Sequence, residues 1–187
     1  MDKWGVNWGT TIAAKSDVPA EHHPLVDKVL KVFGGIHGPF SILLHSPKMA
    51  GPAFDLGGYF REESIVEPRP RSVGILIAAR ERQGVYVWGA QVKAARRNGV
   101  PEEVIDLIRQ RADLSRYPAG DREVVTYVEQ LMRTNRVEQP AFDALKNGHS
   151  VQWLVELTAV VNYYAMLCGI TSAFEVPGPA NGDPLPK

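Results

Sequence analysis

The chain has 187 residues, of which 44% are hydrophobic and 22% charged, a balance that indicates one globular domain rather than a disordered chain. Lysine plus arginine equals aspartate plus glutamate at 21 each, so no chain-wide electrostatic field attracts nucleic acid or an anionic membrane. With Cys168 as its single cysteine the chain cannot form an intrachain disulfide, and a reducing cytoplasm is expected. The sequence has no uninterrupted apolar run of membrane-spanning length and no signal-peptide layout, so no membrane partner is expected.

The pattern along the chain predicts three parts. Residues 1–22 have no clean period and are interpreted as an N-terminal arm, in which Trp4 and Trp8 are positioned to cover a partner subunit. Residues 23–174 carry apolar side chains at helical spacing without period-two alternation, which predicts a single all-α domain. Residues 175–187, EVPGPANGDPLPK, are rich in proline and glycine and are predicted to form a flexible tail, because they cannot propagate a helix.

Capping and breaking residues predict where the first helices begin and end. Ser46 followed by Pro47 is a helix start, with serine as the cap and proline in the first turn. The Pro-Arg-Pro segment at residues 68–70 is expected to break the chain, and a helix then runs over about residues 71–82. The next helix covers residues 86–98 and ends at Gly99, a residue suited to the left-handed stop.

The C-terminal half predicts further helices. Residues 101–103, Pro-Glu-Glu, start one with carboxylates at the positive end of its dipole. An amphipathic segment follows Asp121. The last helix, over residues 151–174, is apolar nearly all round, which predicts a central position or a subunit interface.

Residues 71–105 read RSVGILIAARERQGVYVWGAQVKAARRNGVPEEVI. This segment resembles the signature region of the carboxymuconolactone decarboxylase family, which includes the alkylhydroperoxidase D-like proteins. The family pattern has Arg-Glu opening an apolar helix, then Tyr-Glu-Trp-x-x-His, an alanine-rich turn ending in glycine, and a Pro-Glu-Glu helix. Residues 43–61 and 153–170 resemble the preceding hairpin and the closing helix of the family. The resemblance implies an alkylhydroperoxidase D-like helical bundle that assembles as a homotrimer or hexamer.

The resemblance also shows that the functional positions of the family are changed. The histidine of the signature falls on Gln91, its glutamate on Val87, and the glutamate of Arg-Glu on Ser72. A Cys-x-x-Cys pair of the peroxidase branch would fall on Gly84 and Val87. Reduction of a peroxide by thiols needs a thiolate and a resolving thiol, and one buried cysteine cannot supply both. Thiol peroxidase activity is therefore not expected.

Spacings of three, four and seven predict that residues 84, 87, 88 and 91 share one face of a helix, beside Ser72 of the preceding helix. Glutamine, serine and an indole N–H cannot move protons at neutral pH, but they can donate hydrogen bonds to an enolate oxygen. The predicted catalytic residues are Gln91 and Ser72, with His45 as a candidate base. The predicted substrate-binding residues are Arg71, Tyr86, Val87, Trp88 and Tyr164.

These residues favour a cofactor-independent lyase or isomerase that acts on a small carboxylated lactone or keto acid. The alternative is a non-catalytic oligomeric binding or scaffold protein of the same fold, in which Gln91 only packs beneath the pocket, Arg71 forms a salt bridge and His45 caps a helix junction. His37 and Glu81 are weaker candidates for a base. No set of histidine, cysteine and carboxylate side chains has zinc spacing, so neither a metal nor a cofactor is expected.

Overall fold

The computed structural model describes residues 11–186, and within them the chain forms nine α-helices, three short 3-10 turns and no strand. The all-α prediction is confirmed. The helices are α1 His23–Phe33, α2 Phe40–Leu43, α3 Pro47–Glu62, α4 Pro68–Glu81, α5 Val85–Arg97, α6 Glu102–Gln110, α7 Ala119–Thr134, α8 Gln139–Gly148 and α9 Val151–Ala173.

Two helices, α4 and α9, form the centre of the bundle. Helix α4 packs against α5, α7 and α9, and its residues 72–80 are all buried. Gly74 allows α9 to approach closely, since a Cβ atom at this position would lie 3.0 Å from Val161 Cγ1. One hydrophobic core therefore connects these helices, and it leaves α4, α5 and α9 as adjoining walls.

Most predicted helix limits agree with the structure to within one or two residues. Helix α3 begins at Pro47 as predicted, although the Ser46 side chain makes no capping hydrogen bond. Gly99 has φ +80°, which confirms the left-handed stop after α5. The prediction of a break at residues 68–70 is wrong, because Pro68 begins α4 and these residues form its first turn. Proline is tolerated there, since the first N–H groups of a helix have no partner within it.

Helix α9 reaches membrane-spanning length, although polar side chains such as Glu156 interrupt its apolar run. Val151–Ala173 is long and apolar enough to cross a bilayer by length and composition, but 56% of its most apolar stretch is buried inside the bundle. It packs on α2, α3, α4, α5 and α8. Its apolar character on several sides is thus explained by its central position.

Described parts of the predicted N-terminal arm and C-terminal tail contact the helical domain. Trp4 and Trp8 lie outside the described residues, but Ile12 is buried and its N–H donates to the Ser41 carbonyl at 2.8 Å. The C-terminal segment was expected to be flexible, whereas Asp183 is held by Arg96 at 2.7 Å and by Arg109 at 3.5 Å. Residues 179–183 lie directly on Gly89 of α5. The ion pairs hold this segment, which forms no helix, and the absence of a side chain at Gly89 lets it approach α5 closely.

Candidate functional site

A cavity of about 540 Å³ lies between α4, α5 and α9 and is bordered on its other side by the segment from the end of α1 to α3. Its volume suits a small organic ligand. The lining side chains are those of Val32, Phe33, His37, Pro39, Phe40, Phe60, Arg61, Arg71, Ser72, Ile75, Tyr86, Val87, Ala90, Gln91, Ala94, Arg97, Asn98, Val160, Tyr163, Tyr164 and Leu167.

The structure brings six of the eight predicted site residues to this cavity. They are Arg71 and Ser72 of α4, Tyr86, Val87 and Gln91 of α5, and Tyr164 of α9. The two neighbouring helices of the signature segment therefore enclose one shared space. Trp88 and His45 do not line it.

Trp88 points away from the cavity and toward α6. Its side chain is fully buried, the Arg109 guanidinium lies 5.6 Å above its ring, and its Nε1 has no hydrogen-bond partner among the described residues. Gly84 also lies outside the cavity wall and faces Cys168 of α9, since a Cβ atom at Gly84 would be 2.2 Å from Cys168 Sγ. Helical spacing keeps residues 84, 87, 88 and 91 on one broad face, but of these only Val87 and Gln91 line the cavity, because the side chains at 87 and 88 differ in direction by about 100°.

His45 follows α2, is exposed and is not part of the cavity wall. The segment between α2 and α3 turns its side chain toward solvent. The prediction that it lies at the cavity edge as a base is not supported by this placement.

The Ser72 hydroxyl lines the cavity but is already committed to the protein. Its Oγ donates to the Pro68 carbonyl at 2.8 Å and accepts a hydrogen bond from Asn98 Nδ2 at 2.9 Å. The one hydroxyl hydrogen is thus used within the first turns of α4. Ser72 positions Asn98 and has no hydrogen left to donate to a ligand in this arrangement.

Gln91 and Tyr164 form a polar pair across the cavity wall between α5 and α9. Burial raises the pKa of the Tyr164 phenol, while Arg61, Arg71 and a hydrogen bond from the Gln91 side chain lower it. The raised pKa keeps the phenol protonated at neutral pH. Tyr164 and Gln91 therefore present hydrogen-bond donors that carry no charge.

Three guanidinium groups give the cavity its charge. Arg61, Arg71 and Arg97 line it, whereas no aspartate or glutamate does among the described residues. Arg71 Nη1 donates to the Val66 carbonyl at 3.2 Å. Burial lowers the pKa of the Arg71 guanidinium. The group nevertheless stays charged, because arginine does not lose its proton in proteins. Glu156 partly offsets this lowering. The wall thus suits an anion.

No family model and no curated protein matches this chain. Solved structures do match it. The alkylhydroperoxidase AhpD core of an uncharacterized peroxidase-related protein from Ralstonia eutropha JMP134 superposes with a TM-score of 0.72 at 14% identity, covering 89% of this chain and 90% of that one. A protein of unknown function from Agrobacterium tumefaciens, described as an AhpD antioxidant defence protein, superposes with a TM-score of 0.65 at 20% identity, covering 74% of this chain and 95% of that one. The debrominase Bmp8, as a cysteine-to-alanine variant with 2,3,4-tribromopyrrole, gives 0.73 at 15% identity, covering 92% of each chain.

The chain has the alkylhydroperoxidase D-like fold. In this AhpD-like chain the single thiol lies behind α5 rather than in the cavity, packed against Gly84. Burial raises the pKa of Cys168 to about 12, so a thiolate is scarce at neutral pH. This thiol is placed as a small buried side chain.

Several residues that line the cavity were not predicted from the sequence, among them Asn98, Arg61 and Arg97. Asn98 terminates α5 and was interpreted only as a helix end, although its amide bonds to Ser72. Arg61 lies 5.4 Å from the Phe33 ring centroid, a contact between elements that no local pattern predicts. Among the described residues no group of histidine, cysteine and carboxylate side chains is arranged to hold a metal ion.

Proposed function

We propose that the chain is a cofactor-independent, carboxymuconolactone decarboxylase-like lyase or isomerase that acts on a small carboxylated lactone or keto acid by hydrogen-bond stabilisation of an enolate. One observation carries this proposal. The cavity combines three guanidinium groups with the neutral donors of Gln91 and Tyr164, and no described acidic side chain lines it. Such a wall favours an anionic ligand whose negative charge moves onto an oxygen atom during the reaction.

Arg71 is assigned to binding a carboxylate that stays in the product. A guanidinium ion can bind a carboxylate through two parallel hydrogen bonds. A salt bridge to the carboxylate that leaves as CO₂ would stabilise the substrate more than the transition state and would slow its loss. The preferred substrate therefore carries a second acidic group, or a lactone carbonyl, besides the carboxylate that reacts.

Gln91 and Tyr164 are assigned to the oxygen on which charge develops. In a β-keto acid the carbon–carbon bond to the carboxylate breaks, CO₂ leaves, and the bonding electron pair forms the enolate. A proton then adds to the enolate carbon atom and gives the ketone product. One preorganised donor to such an oxygen contributes roughly 3–4 kcal/mol to transition-state stabilisation.

The test measures CO₂ release from β-keto dicarboxylic acids and, by NMR, conversion of carboxylated unsaturated lactones. Gln91→Ala and Tyr164→Phe are each expected to lower kcat by at least about tenfold, and Arg71→Ala is expected chiefly to raise KM. Gln110→Ala, at the exposed end of α6, is the matched control and should leave turnover unchanged. Turnover that is insensitive to all three cavity variants would refute the assignment.

The alternative is a non-catalytic oligomeric binding protein that uses the same cavity. It is favoured by the Ser72 hydroxyl, whose hydrogen is bonded to the Pro68 carbonyl, and by the absence of a carboxylate on the described cavity wall. Calorimetry with the same acids distinguishes the two. Binding that depends on Arg71, without conversion of any acid or lactone, supports this alternative and contradicts the enzyme.

We also propose a cytoplasmic homotrimer or hexamer. Support comes from α9, where Val151, Val155 and Met166 form an exposed apolar stripe with 61%, 60% and 42% of their surfaces exposed. Large exposed apolar surfaces commonly mark interfaces between proteins. Val155→Glu should therefore lower the molar mass measured by sedimentation, whereas Lys93→Glu on the exposed side of α5 should not. An unchanged mass for Val155→Glu would remove the stripe from the interface.

A further inference from the structure

The cavity wall contains one imidazole among the described residues, that of His37. It lies between α1 and α2, not on α5, where the sequence pattern placed the proton-carrying histidine of the family. The side chain is exposed as well as lining the cavity. His37 is therefore accessible both to solvent and to the cavity, as is required of a group that exchanges protons between the two.

Glycines on both sides determine how this histidine is held. Gly34 and Gly38 have φ of +73° and +55°, a backbone conformation that favours glycine. A Cβ atom at Gly35 would lie 2.1 Å from His37 Nε2, and one at Gly38 would lie 2.1 Å from Tyr86 Cε1. The imidazole thus packs directly over Gly35, and the loop packs over the Tyr86 ring.

The other polar groups around the cavity cannot readily provide a proton. Arg61, Arg71 and Arg97 remain protonated. Burial raises the pKa of the Tyr86 phenol and raises that of Tyr163 to about 12, and Tyr164 shifts in the same direction. Imidazole is the side chain whose protonation changes most readily near neutral pH.

We propose that His37 is the general acid of the cavity and that it donates the proton which the enolate carbon takes up after the carboxylate has left. This inference rests on the proposed function. The imidazolium loses its proton to the carbon atom, and the neutral imidazole takes another from solvent at its exposed side. The groups facing it across the cavity are the three guanidinium ions and three phenols named above, so a bound carboxylate supplies the negative charge that stabilises the imidazolium.

The first experiment compares His37→Gln with the unchanged chain over a range of pH. Loss of the general acid is expected to lower kcat by at least about tenfold while the Kd of the acid changes by less than about threefold. Any dependence of kcat on pH that this group causes in the unchanged chain should be absent in His37→Gln. His22→Gln, in the turn before α1 and outside the cavity, is the matched control.

Two further variants separate chemistry from structure. Gly35→Ala keeps the imidazole but displaces it, and kcat is expected to fall with little change in the Kd of the acid. His37→Ala should regain turnover when free imidazole is added, an effect that a merely structural histidine would not show. Exchange of the carbon-bound proton of the ketone product with D₂O, followed by NMR, reports the same proton transfer without loss of CO₂.

The outcomes distinguish the two proposals. Normal turnover and an unchanged pH profile in His37→Gln would overturn the role of His37 while the proposed function stands. Failure of the unchanged chain to release CO₂, convert a lactone or exchange the proton would refute the proposed function, and the role of His37 with it. Activity that falls in His37→Gln and returns with imidazole would support both.

Discussion

Glu156 of α9 is predicted to be the principal acid-sensitive stabilising group near the cavity. It is 6% exposed. Its Oε1 accepts hydrogen bonds from the Tyr59 hydroxyl at 2.7 Å and from Gln152 at 2.9 Å, and its Oε2 accepts one from the Ile65 N–H at 2.9 Å. These bonds connect α3 and the segment before α4 to α9.

The magnitude follows from the pKa of this carboxyl. Burial raises it, but the hydrogen bonds from Gln152, Tyr59, Ser64 and the Ile65 backbone outweigh burial and lower it from 4.5 to about 2. A shift of that size corresponds to about 3 kcal/mol. Because the folded-state pKa is the lower one, this stability is present above about pH 5 and is lost as pH falls toward 2.

Glu156→Gln tests the reasoning by removing the titration while keeping the shape of the side chain. Urea unfolding followed by circular dichroism should show that the unchanged chain loses about 2 kcal/mol more unfolding free energy than Glu156→Gln between about pH 7 and pH 3. Effects of other carboxyl groups cancel in this difference. Glu123→Gln on the exposed side of α7 should run parallel to the unchanged chain. Parallel curves for Glu156→Gln would refute the reasoning.

Three further predictions concern the faces of α5 outside the cavity. Because burial raises the pKa of Cys168 to about 12, a thiol reagent at about pH 8 should label the folded chain far more slowly than the urea-unfolded chain; equal rates would contradict the burial. Gly84→Ala places a Cβ atom 2.2 Å from Cys168 Sγ and should lower the unfolding free energy by about 1–3 kcal/mol. Adding Cys168→Ala to this variant should restore part of the lost unfolding free energy. If the effects of the two substitutions simply add, the contact between the two positions is excluded. Asp183→Asn removes the carboxylate held by Arg96 and Arg109 and should speed hydrogen exchange in residues 175–186, and an unchanged exchange rate would show that these ion pairs do not hold the segment.

The helical class of the chain and most helix limits could be predicted locally. Gly99 ends α5 and Pro47 begins α3 because backbone preferences at these positions depend on only a few neighbouring residues. Helix α9 is predictable for a related reason, since its length and apolar composition are properties of one segment. The error at Pro68 has the same local origin: proline is disfavoured in a helix interior but is compatible with a first turn.

The cavity wall was only partly predictable. Val87 and Gln91 reach it as expected for residues four apart, whereas Trp88, one residue further on, points to α6. Periodicity gives the angle between side chains on one helix, but it does not state which side of that helix faces another element. Arg61 was not assigned to the site and His37 was only a weaker candidate, because both come from segments far from the signature in sequence.

The sequence by itself determined that the chain is helical, where most helices begin and end, and that α5 carries glutamine and valine where the resembling family carries titrating groups. Tertiary packing alone decided that Asn98 bonds to Ser72, that three arginines share one cavity, and that residues 179–183 rest on Gly89. Backbone preferences act within a few residues of the chain, while a binding site depends on which distant side chains the packed core brings within contact distance.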